Sequence, residues 1–257
     1  MMKLTILGSG TLYPRNDAGS AGYLLQAGDE QMLFDTGLGT LHKLKKLGVD
    51  VRKIKHIFYS HTHNDHTCEL APLLWYLHFA LKQHPDDPVN QQIGVNLYGP
   101  KGFKEFFDIL WSKILGIKER PSFIKSVNEL ESDTVEIGSI KVHSEPVKHI
   151  GFAIGFRLEH EGKSFVYSGD TEVCDGLKRL SSNADLLLLE CAFPKGKSFE
   201  GHMNTTQCGR FAKESNARRL VLTHMYPETL DADARAEAAE EFKGDIIVAK
   251  DLMSIKI

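Results

Sequence analysis

In the segment "HTHNDH", residues 61 to 66, the side chains of His61, His63, Asp65 and His66 put four metal-ligand groups into six positions, directly behind the apolar run "HIFYS". A lone histidine is ordinarily a surface or satisfied core residue, and His42, His56, His78, His84, His143 and His160 are read that way. Four ligand types together at the end of an apolar strand are a different matter. In an extended segment His61 and His63 point the same way roughly 7 Å apart, a span that one ion with ~2.1 Å bonds can draw together. Asp65 and His66 follow as the chain turns, so they can face a second ion.

Other ligand types stand where apolar strands stop: "HSEPVKH" ends at His149, "FVYSGD" at Asp170, "LLLLE" at Glu190 and "LVLTH" at His224. Strands hold such side chains rigidly, and the strand ends of one layer can converge on a single rim. Imidazole and carboxylate donors without thiolate suit zinc, manganese or iron in a site open to solvent. His61, His63, Asp65, His66, His149, Asp170 and His224 together exceed what one tetrahedral ion can use. They fit two divalent ions roughly 3.5 to 4 Å apart.

The first sixty residues, which must position the cluster, read as the short strands "KLTILGSG", "AGYLLQAG", "EQMLFDTG" and "KHIFYSH", bounded by Gly or Asp. "LHKLKKLGVD" reads as a helix closed at Gly48. "ELAPLLWYLHFALKQH" is apolar at helical spacing with Pro72 in its first turn, "PDDPVNQQ" is a surface loop, and "VNLYGP" is a strand. "FKEFFDILWSKILG" places Phe103, Phe106, Phe107, Leu110, Trp111 and Ile114 on one helical stripe closed by Gly116, a core-packing pattern. Strands return as hairpins, with "FAIGFRLEHEGKSFVYSGD" turning at "EHEGK". Then follow a helix at "DGLKRLSSN", the strand "DLLLLEC", a helix from about Asn204 to Asn216, the strand "RLVLTH", an alanine-rich helix from Asp231 and final strands in "DIIVAKDLMSIKI". The pattern predicts two similar halves, each a sheet covered by helices on one face, within a single domain over residues 1–257.

Hydrophobic residues at 42% and charged residues at 25% are ordinary for a soluble globular protein. A net charge of −3 argues against coating nucleic acid by bulk electrostatics. Cys68, Cys174, Cys191 and Cys208 stand far apart with no C-x-x-C pair, so neither a zinc knuckle nor a disulfide framework is indicated. The opening "MMKLTILGSGTLYP" is too short in apolar residues for a signal peptide, and no later run reaches membrane-spanning length, so a cytoplasmic location without membrane association is expected.

These residues carry a resemblance. Over nearly the whole chain the sequence is similar to metallo-β-lactamase-fold hydrolases, and among them to the ribonuclease Z-like group. "LTILGSGTLYP" resembles the opening strand and glycine turn, "MLFDTG" the second motif with Asp35 buttressing the site, and "HTHNDH" the H-x-H-x-D-H signature. "PVKH", "SGDT" and "LTHMYP" resemble the segments bearing the third histidine, the bridging aspartate and the last histidine. The resemblance implies an α/β (α+β) fold, a four-layer αββα sandwich. It also implies that His61, His63 and His149 hold one ion, Asp65, His66 and His224 the other, with Asp170 bridging. Zinc is the first expectation for both ions, manganese or iron the alternatives.

The same group carries a glutamate in an E-x-x-F element and a histidine ahead of the following helix, together taken to protonate the leaving group; "ECAF" and "GHMNTTQCGRFA" match, giving Glu190 and His202. An attacking hydroxide does need a general acid across the scissile bond, and a carboxylate that orients and charges an imidazole makes one. The plainer alternative is that Glu190 caps a buried strand and His202 merely enters a helix. Thr205 and Thr206 at that helix N-terminus could receive a phosphate oxygen.

The implied activity is a dinuclear metal-dependent phosphodiesterase using a metal-bridging hydroxide, with Asp65 orienting it. The alternatives are lactone, β-lactam or aryl-sulfate hydrolysis on the same metals, or a binding protein without catalysis. Three departures separate the chain from transfer-RNA-processing enzymes: one hairpin where they insert a long arm between His149 and Asp170, "TCEL" where they place a glycine, and "THMYPE" without their Arg-Tyr. The expected partner is therefore a small phosphodiester or other ester, with short RNA open and full transfer RNA processing disfavoured. The likeness also suggests a homodimer.

Overall fold

A computed structural model describes all 257 residues. The first half of the chain forms β1 (Met2–Gly8), β2 (Gly22–Ala27), β3 (Glu30–Thr36), β4 (His56–Phe58), β5 (Val95–Gly99) and β6 (Ile124–Glu129). The second forms β7 (Thr134–Ile137), β8 (Ile140–Pro146), β9 (Ile154–His160), β10 (Lys163–Tyr167), β11 (Leu186–Glu190), β12 (Arg219–Thr223), β13 (Asp245–Val248) and β14 (Ser254–Lys256). They assemble into two seven-stranded sheets, ordered β14-β1-β2-β3-β4-β5-β6 and β13-β12-β11-β10-β9-β8-β7. β14 thus leaves the second half and pairs antiparallel with β1, Leu4 opposite Ile255. Within each sheet an antiparallel portion passes into a parallel one, at β3-β4-β5-β6 and at β10-β11-β12-β13. Parallel strands all finish at the same edge, and this is what brings distant residues to one rim.

Helices cover the outside of each sheet: α1 (Thr40–Lys46), α3 (Leu70–Gln83) and α4 (Phe103–Ile109) on the first, α5 (Asp175–Ser181), α6 (Thr205–Glu214) and α8 (Ala234–Ala239) on the second. The short α2 (Asn64–Thr67) and α7 (Pro227–Asp231) follow His63 and Tyr226. Side-chain alternation sorts the core into layers. In β11, Leu186 and Leu188 join Tyr23, Phe34, Phe58 and Phe156 between the sheets, while Leu187 and Leu189 pack outward against Cys208, Phe211 and Ala238. A strand buried on both faces needs the continuous run "LLLL" seen here. The result is the expected four-layer αββα sandwich.

Several local expectations are corrected. The stripe ending at Ile114 fails in its last turn, because residues 110–114 widen to π spacing, with Leu115 N–H reaching Leu110 O at 2.9 Å. The wider turn rotates Ile114 off the core side, leaving it 68% exposed. The helix expected from Asp231 is instead two: α7 begins with Pro227 and ends at Asp231, and α8 starts after Asp233, whose side chain caps Ala236 N–H. The "PDDPVNQQ" loop hides a buried side chain, Asn90, whose amide donates to Ala80 O and His84 O. β6 was not foreseen, since "IKSVNE" mixes lysine and asparagine into its alternation. No helix is long and apolar enough to cross a membrane.

Candidate metal centre

β4 ends at Phe58, and the next residues run extended over the rim until α2 turns the chain at Asn64. His61 and His66 are buried, while His63 is exposed. Beneath them sits Asp35, fully buried and held in the left-handed region at φ 56°. Its carboxylate accepts four hydrogen bonds: Ser60 N–H and Ser60 Oγ–H at 2.8 Å, Tyr167 O–H at 2.6 Å and His66 Nδ1–H at 2.8 Å. The last bond fixes the tautomer, so the bare Nε2 of His66 faces the rim. Ser60 Oγ spends its proton on Asp35 and accepts from His61 Nδ1 at 3.0 Å, which turns the bare Nε2 of His61 the same way. Neither Ser60 nor Tyr167 was singled out from sequence.

The second half supplies one residue per strand end. Asp170 follows β10, Glu190 closes β11 and His224 follows β12, with Glu190 in register with Thr223. His149 lies in the connection between β8 and β9, its Nδ1–H donating to Gly201 O at 2.9 Å. Gly201 has φ 83°, and a Cβ there would stand 2.8 Å from His149 Nδ1, so only glycine lets the carbonyl come so close. His224 is likewise left-handed, at φ 55°, a conformation that costs on the order of 1–3 kcal/mol and persists only when its surroundings hold it. Its N–H donates to Ser9 O at 3.0 Å. Ser9 is in turn gripped by Asp251, which accepts from Ser9 N–H, Ser9 Oγ–H and Gly19 N–H and pairs with Lys43.

These braces gather the ring nitrogens and carboxylates into adjoining groups: His61, His63 and His149; Asp65, His66 and His224; and Asp170 beside both His61 and His66. Asp170 Oδ2 lies 3.4 Å from His66 Nε2, 3.4 Å from His224 Nε2 and 3.9 Å from His61 Nε2. Within the groups, His149 Nε2 faces His63 Nδ1 at 3.2 Å and His66 Nε2 faces His224 Nε2 at 3.3 Å. Tetrahedral ligands with ~2.1 Å bonds stand about 3.4 Å apart, so these spacings suit a shared cation. His61 Nε2 and Asp170 Oδ1 are buried with no hydrogen-bond partner at all, an arrangement that costs free energy unless something else satisfies them.

The electrostatics agree with neutral, metal-ready rings at the His61 end. Burial drives His61 well below the ordinary imidazole range, and burial also lowers His149. Burial alone would raise Asp170, but the rings of His224, His66 and His61 outweigh it and hold the carboxyl well below its usual range.

Beside the groups lies a charge pair. Glu190, 1% exposed, accepts from Thr171 N–H, Ala192 N–H and His202 Nδ1–H, the last at 2.9 Å. His202 therefore keeps its Nε2 for the rim, where it joins His149 and Asp170. Burial raises the Glu190 carboxyl against the pull of His202. Burial would lower the His202 ring, yet the hydrogen bond and charge of Glu190 prevail and raise it. Thr205 is not available to a phosphate: its N–H donates to Phe193 O and its hydroxyl to Glu237. A cavity of about 910 Å³, lined by Lys141, Arg157, Lys163, Asp185 and Arg218 among others, contains none of the candidate residues.

Paired sheets between helices, with histidines and aspartates on one rim, define the class of metallo-β-lactamase-fold hydrolases. The chain belongs to the beta-lactamase superfamily, whose domain model matches residues 30–225. It is 29% identical to the probable metallo-hydrolase YhfI of Bacillus subtilis, over 97% of each chain. The crystal structure of YhfI superposes with a TM-score of 0.86 over 100% of both chains. A ribonuclease Z of Nocardia farcinica is 27% identical, covering 99% of this chain and 97% of its own. The short form of human tRNase Z, 24% identical, shares the fold with a TM-score of 0.75 over 99% of both chains.

Proposed function

We propose that this protein is a dinuclear metal-dependent phosphodiesterase of the ribonuclease Z-like group. The observation that carries the reading is the Glu190–His202 pair, an imidazole hydrogen-bonded to a buried carboxylate and standing on the rim beside His149 and Asp170. Ester hydrolysis with a good leaving group needs no such acid; expelling an alkoxide from phosphorus does. The relatives named ribonuclease Z support the same substrate class.

In this reading His61, His63 and His149 would hold one divalent ion and Asp65, His66 and His224 a second, with Asp170 close to both groups. Zinc is the first choice for this donor set, with manganese or iron as alternatives. When bound, such ions supply activated water near neutral pH and positive charge toward oxygens that become anionic. The chain does the rest. Asp35 and Ser60 fix the ring tautomers, Asp65 orients the attacking water from its place beside His224, 3.3 Å away, and Nε2–H of His202 delivers a proton to the departing oxygen while Glu190 stabilises the charged ring. The substrate is a phosphodiester, small or within short RNA; the hairpin of β9 and β10 fills the chain between His149 and Asp170, with Glu161 and Gly162 as its turn. The core shared by both sheets supports treating residues 1–257 as one domain.

The test is a screen of purified protein loaded with Zn²⁺ or Mn²⁺. Bis-p-nitrophenyl phosphate should be hydrolysed. Turnover of β-lactams or lactones with none of phosphodiesters, under any divalent ion, rejects the proposal.

A further inference from the structure

Aromatic rings cluster around His202, and they are graded in exposure. Phe193, 8% exposed, stacks on Tyr226 with ring centres 5.2 Å apart and planes 17° apart. Tyr226 is 5.9 Å from His202 and 6.0 Å from His224. Outside this inner pair stand Tyr13, edge-on to Tyr226 at 5.4 Å, and Phe199, 5.9 Å from Phe193 and 6.3 Å from His202. Phe199 and Tyr13 are 58% and 46% exposed. Three loops converge to make this wall, those after β1, β11 and β12. Scattered exposed apolar residues need no explanation, but two rings standing against a stacked pair, Phe193 buried and Tyr226 half-buried, at the edge of a polar rim do.

Resting on the phosphodiesterase reading above, we infer that this wall is a stacking subsite for a planar base carried by the leaving group. The side follows from the acid. His202 protonates the departing oxygen, so whatever that oxygen carries emerges beside His202, where the wall stands. Phe199 beside Phe193 and Tyr13 beside Tyr226 supply the exposed rings, and the inner pair of Phe193 and Tyr226 keeps the surface stiff. Lys197 does not compete for the phosphate, because its ammonium lies 5.3 Å from the Phe193 ring centre and pairs with Glu228. Stacking reads a π face and not a hydrogen-bonding edge, so the subsite separates base-bearing from alkyl leaving groups without ranking the bases.

The experiment compares two esters of thymidine 3′-phosphate, one with the 5′-hydroxyl of 2′-deoxyadenosine and one with methanol, cleaved by the metal-loaded full chain and followed by chromatography. Both present the same phosphorus to attack. Since each could also expel thymidine, the rate counted is that of thymidine 3′-phosphate release, which requires departure of the deoxyadenosine or methanol oxygen. On that route only one leaving group carries a base. The expected kcat/KM is about tenfold or more in favour of the deoxyadenosyl ester, the size of one base–aromatic stack. That preference should shrink to about threefold or less in Phe199→Ala and survive in Phe199→Trp. Equal cleavage of the two esters by the unmutated protein overturns the inference, as does a preference unchanged in both Phe199→Ala and Tyr13→Ala. Binding of 2-aminopurine deoxyriboside, whose fluorescence is quenched when it stacks, reads the wall without turnover. Quenching that Phe199→Ala abolishes, in a protein that cleaves no phosphodiester, sustains the subsite and rejects the activity. Absence of quenching together with cleavage of both esters at one rate does the reverse.

Discussion

The two halves of the molecule build the rim in opposite ways. The first half gives His61, His63, Asp65 and His66 from a single turn of chain, and one buried carboxylate, Asp35, sets the tautomers of His61 and His66 directly or through Ser60. The second half gives His149, Asp170, Glu190, His202 and His224 from five separate segments, and its three histidines are fixed by three different partners: Gly201 O for His149, Glu190 for His202 and Ser9 O for His224. A contiguous cluster can depend on one brace. A dispersed set depends on the parallel ladder of β10, β11 and β12 and on many small contacts, so single substitutions there should act more locally.

Asp170 is where that contrast should break down, because its carboxylate from the second half lies against ring nitrogens of both groups. Asp170→Asn is expected to lower hydrolysis of bis-p-nitrophenyl phosphate on the order of 10³-fold or more, about 4 kcal/mol of transition-state stabilisation. Metal content measured by mass spectrometry should fall with it; full loading and activity within tenfold would remove Asp170 from the centre. Next in size is His202→Ala. Turnover of a dialkyl phosphodiester should fall about 10²- to 10⁴-fold, while bis-p-nitrophenyl phosphate, whose leaving group needs little help, should lose much less. An equal loss on both substrates would return His202 to the role of a helix-entry residue.

Asp35→Asn probes the shared brace of the first half. Metal affinity should drop about 10- to 100-fold for both ions, since His61 and His66 both lose their orientation. A drop confined to one ion would count against the Ser60 relay. Asp251→Asn probes the second half and should be milder: about tenfold or less, confined to the ion held through His224, as Ser9 loosens. Isothermal titration with Zn²⁺ distinguishes one weakened site from two.

The same contrast explains what could be read from sequence. "HTHNDH" announces itself because its ligands are adjacent, and β11 does so because a strand buried on both faces must be an unbroken apolar run. Residues at strand ends, such as Asp170 and His224, are legible only once apolar runs are seen to stop at them. The braces were harder. Gly201, Ser9, Tyr167 and Asp251 carry no spacing signal, since a hydrogen bond across 132 residues, as between Tyr167 and Asp35, leaves no periodic trace. Ile114 misled because a π turn preserves the residue pattern while changing the angle between residues. Asp231 misled because an aspartate can end one helix as readily as begin another, and the cap that decides lies two positions on, at Asp233.

The pairing of β14 with β1, together with the grip of Asp251 on Ser9, sets an order of events during synthesis. Until residue 256 has left the ribosome, β1 presents a bare edge able to recruit a strand from another nascent chain. Until residue 251 is made, Ser9, whose carbonyl holds the unusual backbone of His224, lacks the grip of Asp251. Bracing of the His224 end of the rim thus waits on a segment made after every one of the candidate ligands.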